Sequence, residues 1–384
     1  MLQQVRQWCA INSGSRNLDG LQRMAGLLAD AFSVLPGETA LRHPTPGEEI
    51  DRAGQARPVV LGRNLHVRVR PKAPVQLLLT GHMDTVYASD HVFQTVTDAD
   101  DGAVINGPGV ADMKSGIALM LAALRGVEAS PLRERIGYEV IINSDEEIGS
   151  PGSAALIAER ARGKLAALTY EPSALPDGTL AGARPGSGNF SIIITGRSAH
   201  AGRNPEDGRN AIVAAADLTL RLSRARRSGL AINPARIDGG GPSNVVPDRA
   251  VLRVNLRPAL PDDQAAAQLL IDELVRAVAT EHEVTTRIQG GFGRPPKPID
   301  ARAARLFALV EDSAALLGCL IGHQPSGGVC DGNNIAACGV PVVDTMGARG
   351  GAIHSVEEYL IVESLAERAR LSTLVMLRLA EQGL

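Results

Sequence analysis

An α/β fold is predicted by three features of the sequence. Short apolar runs of strand length lie at residues 75–80, 136–143 and 165–169, and stretches of helical periodicity at 115–128 and 150–162 separate them. Residues able to do chemistry follow directly on the ends of those runs. Strand and helix in alternation build α/β folds, in which ligands bind beyond the carboxyl ends of the strands.

Taken in order, Leu21, Met24, Leu27, Leu28 and Phe32 recur at helical spacing before Pro36-Gly37, which predicts an amphipathic helix over 18–33. The apolar runs and their intervening helices come next. From about residue 186 the pattern changes to strand 190–195, helix 207–225, strand 250–256, helix 263–280 and strand 282–288. This pattern predicts a smaller α+β unit inserted at 186–291. Gly290-Gly291-Phe292-Gly293-Arg294-Pro295-Pro296 reads as the linker back to a first domain in two pieces, 1–185 and 292–384, where helix and strand resume. Two domains also agree with a length of 384 residues, since single cores stop growing near ~250–300.

Composition excludes several classes. Hydrophobic content of 44% with 21% charged residues is that of an ordinary globular chain. A net charge of -3 gives no overall attraction to phosphate backbones or anionic bilayers, and 3% aromatics leaves few stacking platforms, so neither nucleic acid nor membrane is an expected partner. Arg6, Arg16, Asp19 and Arg23 interrupt the first thirty residues, and no apolar run is long enough for a bilayer; a cytoplasmic location is expected. Cys9, Cys319, Cys330 and Cys338 lack zinc-ribbon spacing and are too sparse for a disulfide framework, so reduced thiols are expected. No GxSxG elbow, HExxH helix or P-loop is present.

The strand ends carry the chemistry. Gly81-His82-Met83-Asp84 follows the first run, Ser144-Asp145-Glu146-Glu147 the second, and Tyr170-Glu171 the third. Asp112 precedes a helix, and His354 sits in the glycine-rich segment 350–355. Imidazole with carboxylate suits zinc or a related divalent ion, and the lack of cysteine argues for an open, catalytic site over a structural one. Two cations about 3.5–4 Å apart can share a carboxylate, polarise an amide carbonyl and stabilise the oxyanion that develops. Adjacent side chains on an extended segment point opposite ways, so Glu146 and Glu147 are not expected on one metal, and one is left to move protons. Singly, each residue has an ordinary explanation, such as a loop histidine, a solvated glutamate pair or an aspartate helix cap. Their convergence on one rim is what points to a site.

The strings GHMDTV at 81–86, GPGVADMKSG at 107–116, SDEEIGS at 144–150, SAHAG at 198–202 and SNVVPD at 243–248 make the chain resemble a family of dinuclear zinc amidohydrolases. That family comprises carboxypeptidase G, acetylornithine deacetylase, succinyl-diaminopimelate desuccinylase and aminoacylase; SDEEIGSPGS and DGNN at 331–334 are most similar to the carboxypeptidase G group. The resemblance spans nearly the whole chain. It implies a zinc-peptidase-like catalytic domain with a central mixed sheet flanked by helices, and an inserted dimerisation, or lid, domain. It also implies a non-proline cis peptide at Asp112-Met113.

By the same resemblance, His82 and Glu171 bind one Zn2+, Glu147 and His354 the other, and Asp112 bridges both, with Co2+ or Mn2+ as substitutes. Asp84 orients His82, and Glu146 is the general base that takes a proton from the attacking water and passes it to the leaving amine. His200 reaches across a homodimer interface to the tetrahedral intermediate. Asn244 and Arg257 hold a substrate carboxylate, and Ser326, Gly327, Gly328 and Asn333 supply further donors. Cys330, where the group often has Ser or Thr, and Arg184-Pro185-Gly186 depart from the usual pattern and bear on side-chain specificity. The activity implied is release of a C-terminal, possibly acidic, amino acid from a peptide or N-acyl amino acid. The alternatives are a deacylase of N-acetyl or N-succinyl amino acids, and a dimeric binding protein without turnover.

Overall fold

The structure, a computed structural model, describes residues 1–384 and divides into two compact units. The first comprises 1–46, 60–183 and 298–384, and the second 47–59 and 184–297.

The first unit is built on a six-stranded mixed sheet in the order Glu38–Arg42, Asn64–Val69, Ile136–Asn143, Val75–His82, Ala166–Thr169 and Val342–Val343. The first two pairings are antiparallel and the remaining three parallel. All eight residues of Ile136–Asn143 are buried because helices cover both faces of the sheet, which also explains the unbroken apolar run in the sequence. On one face Leu77, Leu79, Tyr138 and Val140 pack with Ile117, Leu124, Val375 and Met376 in the main core. On the other, Leu78, Ile141 and Ala167 meet Ile157, Ala161 and Ile335.

The helix expected over 18–33 runs Leu18–Phe32, capped by the Asn17 side chain accepting from the Gly20 amide. Leu21, Met24, Leu28 and Phe32 are buried as the spacing requires; Leu27, counted on the same face, is 42% exposed. The remaining helices of this unit include Lys114–Glu128, Ala154–Ala161, Ala301–Leu316, Asp331–Ala337 and Ser364–Gln382. No helix is long and apolar enough to cross a membrane, and none of the four cysteines is in a disulfide.

The second unit is a four-stranded antiparallel sheet in the order Leu230–Gly239, Arg249–Pro258, Ser187–Thr195, Thr285–Arg294, with helices Ala211–Arg224 and Pro261–Glu281. Leu218, Leu222, Ile271 and Val275 of the helices pack with Ile192, Ile194, Leu252 and Val254 of the sheet. Three features differ from the sequence reading. The strand Leu230–Gly239 was not expected, because Pro234 interrupts its pattern; it is an edge strand, where a missing N–H is tolerated, and its register shifts between Pro234 and Arg236.

Of the segment expected as a return linker, Gly290–Arg294 instead forms the second half of the strand Thr285–Arg294, and only Pro295-Pro296 lies beyond it. Gly290 has φ of 93°, and a Cβ there would lie 2.2 Å from the Asn189 carbonyl oxygen, so only glycine lets the two strands approach. Phe292 in the same stretch packs edge-on against Phe190, with ring centroids 5.3 Å apart. The third difference is a hairpin, Gly47–Ile50 with Ala56–Val59, which the sequence reading assigned to the first domain. Ile50 packs on Ile193 and Val251, and Arg253 donates to the carbonyls of Ile50 and Asp51 at 2.9 and 3.1 Å.

Candidate metal centre

Two of the polar strand ends are neighbours because their strands are. Val75–His82 pairs with Ile136–Asn143 up to the His82–Asn143 partners, so Glu146 and Glu147 begin three residues past the point where His82 ends its strand. Ala166–Thr169 pairs on the other side of Val75–His82, bringing Glu171 to the same edge. The remaining two residues arrive through a small antiparallel sheet. Val104–Asn106 pairs with Tyr359–Ile361, which pairs with Gly350–Gly351, so the turn carrying Asp112 and the loop carrying His354 leave the same sheet. His354 has φ of 63°, a left-handed conformation that histidine adopts more readily than most side chains.

The resulting geometry centres on Asp112. Its Oδ1 lies 3.1 Å from His82 Nε2, and its Oδ2 lies 3.2 Å from His354 Nε2. Glu171 Oε2 is 3.6 Å from His82 Nε2, and Glu147 Oε2 is 3.3 Å from His354 Nε2. The atoms therefore fall into two sets, one with His82 and Glu171, the other with His354 and Glu147, and each set faces one oxygen of the same aspartate. The Asp112-Met113 peptide is cis.

Glu146 and Glu147 occupy a turn of 3-10 helix and not the extended segment assumed from the sequence. Ligand atoms of Glu146 lie within 4.8 Å of those of His82 and Glu171, and ligand atoms of Glu147 within 4.8 Å of those of His82 and Asp112.

Asp84, fully buried, lies beneath this cluster. Its Oδ1 accepts from the Glu146 amide at 3.2 Å and its Oδ2 from the Glu147 amide at 3.1 Å. Its backbone carbonyl is 3.0 Å from His82 Nδ1, and its Oδ1 is 3.4 Å from the same nitrogen. His82 is thereby anchored through Nδ1 and presents Nε2 to the cluster. The buried Lys114 donates to the carbonyls of Trp8 and Ile11 and ties down the segment leading to Ser13 and Ser15, whose hydroxyls bond Met83 O and Asp84 Oδ2. Sequence reading missed both serines, since Ser-Gly-Ser before a helix reads simply as a turn.

The electrostatics favour cations. Burial alone disfavours charge on every group here. Burial pushes the Glu171 carboxyl up despite the opposing His82, and burial together with the Asp112 charge pushes Glu147 up. Against its own burial, Asp112 is held low by His354 and His82. Burial opposes charge on the His82 ring, but Glu171, Asp112 and Asp84 raise it well above the usual histidine range. Asp112 and Glu147 likewise raise His354. A pocket with more carboxylate than its two imidazoles can compensate, all-oxygen and nitrogen in its donors, fits a pair of divalent ions.

The other expected site residues are distributed as follows. His200, Asn244 and Arg257 belong to the second unit. There the segments of His200 and Asn244, far apart in sequence, are joined by an Ala201 amide bond to the Asn244 carbonyl at 2.9 Å, and both residues are exposed. Nδ1 of His200 accepts from the amides of Gly202 and Arg203. Arg257, also exposed, donates from Nε to Asn255 at 3.0 Å. In the first unit Gly327 and Gly328 are exposed, and the Ser326 amide bonds the Ala183 carbonyl. Asn333 is fully buried, and its Oδ1 accepts from the Cys330 amide at 3.1 Å, a contact that caps the start of helix Asp331–Ala337.

Two imidazoles and several carboxylates gathered beside the strand ends of a mixed sheet have the composition of a catalytic metal centre. Residues 78–378 match the Peptidase family M20/M25/M40, and the chain belongs to that family. It is 30% identical over 365 residues to carboxypeptidase G2 of Pseudomonas sp. (strain RS-16), covering 93% of this chain and 84% of that one. It is also 30% identical over 319 residues to succinyl-diaminopimelate desuccinylase of Xanthomonas campestris pv. campestris (strain 8004), covering 76% and 80%. Among solved structures, a tripeptidase from Staphylococcus aureus superposes with a TM-score of 0.75 at 23% identity, covering 99% of this chain and 98% of that one. The chain is thus a metallopeptidase-type hydrolase acting on C–N bonds.

Proposed function

We propose that the chain is a dinuclear zinc hydrolase that releases a C-terminal amino acid, acidic residues foremost, from a peptide or N-acyl amino acid. One observation carries this reading: Asp112 faces His82 with one oxygen and His354 with the other, each alongside a further glutamate. In this reading His82 and Glu171 hold one cation, His354 and Glu147 the second, and Asp112 both. Two bound cations supply Lewis acidity, polarising the scissile carbonyl and making water a better nucleophile near neutral pH.

The protein's own groups do the rest. Glu146, on the His82 and Glu171 side, takes a proton from the attacking water and delivers it to the leaving nitrogen. Asp84 holds the amides of Glu146 and Glu147 and the His82 ring in register. Arg257 offers a planar two-pronged donor to the substrate carboxylate, and Asn244 adds an amide beside it. His200 donates to the developing oxyanion across a homodimer interface formed by the second unit. Similarity to the desuccinylase supports a second reading, a deacylase of N-acetyl or N-succinyl amino acids with the same metal chemistry and different pocket walls.

The test is a mass-spectrometric screen of N-acyl amino acids and dipeptides against zinc-loaded protein, with Glu146→Gln as the blank. Release of free C-terminal amino acid from peptides and acyl-glutamates is expected. Turnover confined to N-acetyl or N-succinyl substrates shifts the assignment to the second reading. No turnover on any substrate by fully metal-loaded protein excludes both.

A further inference from the structure

Glu358 lies on the same loop as His354, four residues further on, and is 1% exposed, whereas its neighbour Glu357 is exposed. Both of its carboxylate oxygens are engaged. Oε1 accepts from the amides of Ala111 and Asp112 at 2.9 and 3.0 Å, and Oε2 accepts from the Gly109 amide at 3.2 Å and the Tyr87 hydroxyl at 2.9 Å. The backbone carbonyl of Glu358 accepts from the Gly107 amide at 3.2 Å and from Asn106 Nδ2 at 2.7 Å. One residue therefore grips the 107–112 turn along its length.

Hydrogen bonds to an ionised acceptor are roughly twice as strong as neutral ones, and four donors occupy a carboxylate's ordinary capacity. An isolated buried carboxylate is costly, so its presence here is justified only by what it holds. The amide of Asp112 itself is among its donors. The same loop delivers His354, whose Nε2 faces Asp112 Oδ2 at 3.2 Å. A clamp from this loop onto the Asp112 turn sets the separation between those two groups. Tyr87 extends the clamp to the segment that follows His82 and Asp84, since its hydroxyl also contacts the Ser355 carbonyl at 2.8 Å.

From these contacts we infer that Glu358, supported by Tyr87, is a positioning residue for the metal centre, fixing Asp112 so that its two oxygens face His82 and His354. The inference rests on the dinuclear reading of the site. Both Glu358 carboxylate oxygens are taken up by protein donors, so the residue acts through Asp112.

The experiment compares wild type, Glu358→Gln and Tyr87→Phe as metal-free proteins titrated with Zn2+ against a chromophoric chelator, with Co2+ absorption spectra and unfolding midpoints recorded in parallel. Glutamine turns one acceptor into a donor facing donors, so zinc affinity is expected to fall about 10- to 100-fold, with an altered Co2+ spectrum. Tyr87→Phe removes one donor only, and a roughly two- to tenfold loss is expected. A purely architectural role would lower the metal-free midpoint and leave zinc affinity unchanged; that result in Glu358→Gln overturns the inference. Should Glu358→Gln fail to fold, wild-type affinity and spectrum in Tyr87→Phe overturn it equally. A wild-type protein that takes up no zinc removes the dinuclear reading itself, a failure distinct from two bound equivalents in wild type and variant alike.

Discussion

The Ser15 hydroxyl donates a 2.7 Å hydrogen bond to Oδ2 of Asp84 across 69 residues of sequence. That oxygen also receives the Glu147 amide, and the companion oxygen receives the Glu146 amide. A serine near the N-terminus thus helps hold the carboxylate that orients one proposed metal ligand and positions the backbone of another. Hydrogen bonds to charged groups contribute roughly 1.5–3 kcal/mol. Ser15→Ala is therefore expected to lower stability by about that amount and to weaken zinc binding. Asp84→Asn is expected to cost more, about 10- to 100-fold in metal affinity. Chelator competition on both variants checks this; wild-type affinity in Asp84→Asn rules out the orienting role.

Glu146 poses a sharper question, because its carboxylate is close enough to His82 and Glu171 to be a ligand as well as a base. The two roles separate in Glu146→Gln. A general base lost by isosteric substitution lowers kcat by about 10²- to 10⁴-fold with metal content intact. A lost ligand lowers the metal stoichiometry. Two equivalents of zinc by elemental analysis, with turnover all but abolished, is the expected outcome, and one equivalent would falsify the assignment of Glu146 as the base.

Metal removal tests the charge balance of the cluster. Without cations, Glu147 and Glu171 are buried carboxyls displaced upward beside the low-lying Asp112. Cations that bind only the folded chain stabilise it by mass action, about 4 kcal/mol at a thousandfold excess over Kd. Dialysis against a chelator is expected to abolish turnover and lower the unfolding midpoint, with both restored by Zn2+, Co2+ or Mn2+. A midpoint indifferent to chelation and to added metal contradicts a cation site among these residues.

Much of this was legible in the sequence for a specific reason. In an α/β sheet the strand ends converge by rule, so His82, Glu146, Glu147 and Glu171 announce themselves by position alone. Asp112 and His354 lie off the main sheet, on a small antiparallel one whose strands are only two or three residues long, too short to leave a periodic pattern. Asp112 was marked only by standing before a helix and by its motif string at 107–116, and His354 only by the glycine-rich segment around it. Ser15 and Glu358 left no signal, because their role lies in which buried donors and acceptors they meet, and a single chain does not display such pairings. The strand Leu230–Gly239 and the hairpin 47–59 were missed for the opposite reason. Both are rich in proline, glycine or charge, and fold where tertiary packing outweighs local preference.

Glu139 gives a pH prediction away from the metal ligands. It projects from the strand Ile136–Asn143 at 6% exposure, with Oε2 2.6 Å from His66 Nε2 and Oε1 2.8 Å from Lys164 Nζ. Arg160 Nε lies 3.8 Å away. Burial favours the neutral acid, but the His66 and Lys164 hydrogen bonds outweigh it and bring the carboxyl from 4.5 to about 2. A folded-state value below the unfolded one means the stabilisation is fully present above the unfolded value and is lost as pH falls through the folded one. The window therefore runs from about pH 5 down to about pH 2, and the linkage is at most on the order of 3 kcal/mol, as each unit corresponds to ~1.4 kcal/mol. In metal-free protein, which removes acid-driven metal loss from the comparison, wild type is expected to exceed Glu139→Gln in stability at neutral pH. The gap should close through that window. Denaturant unfolding of both proteins at intervals across it checks the claim, and a gap that stays constant to the acid limit shows that the Glu139 carboxylate is not held low by its partners.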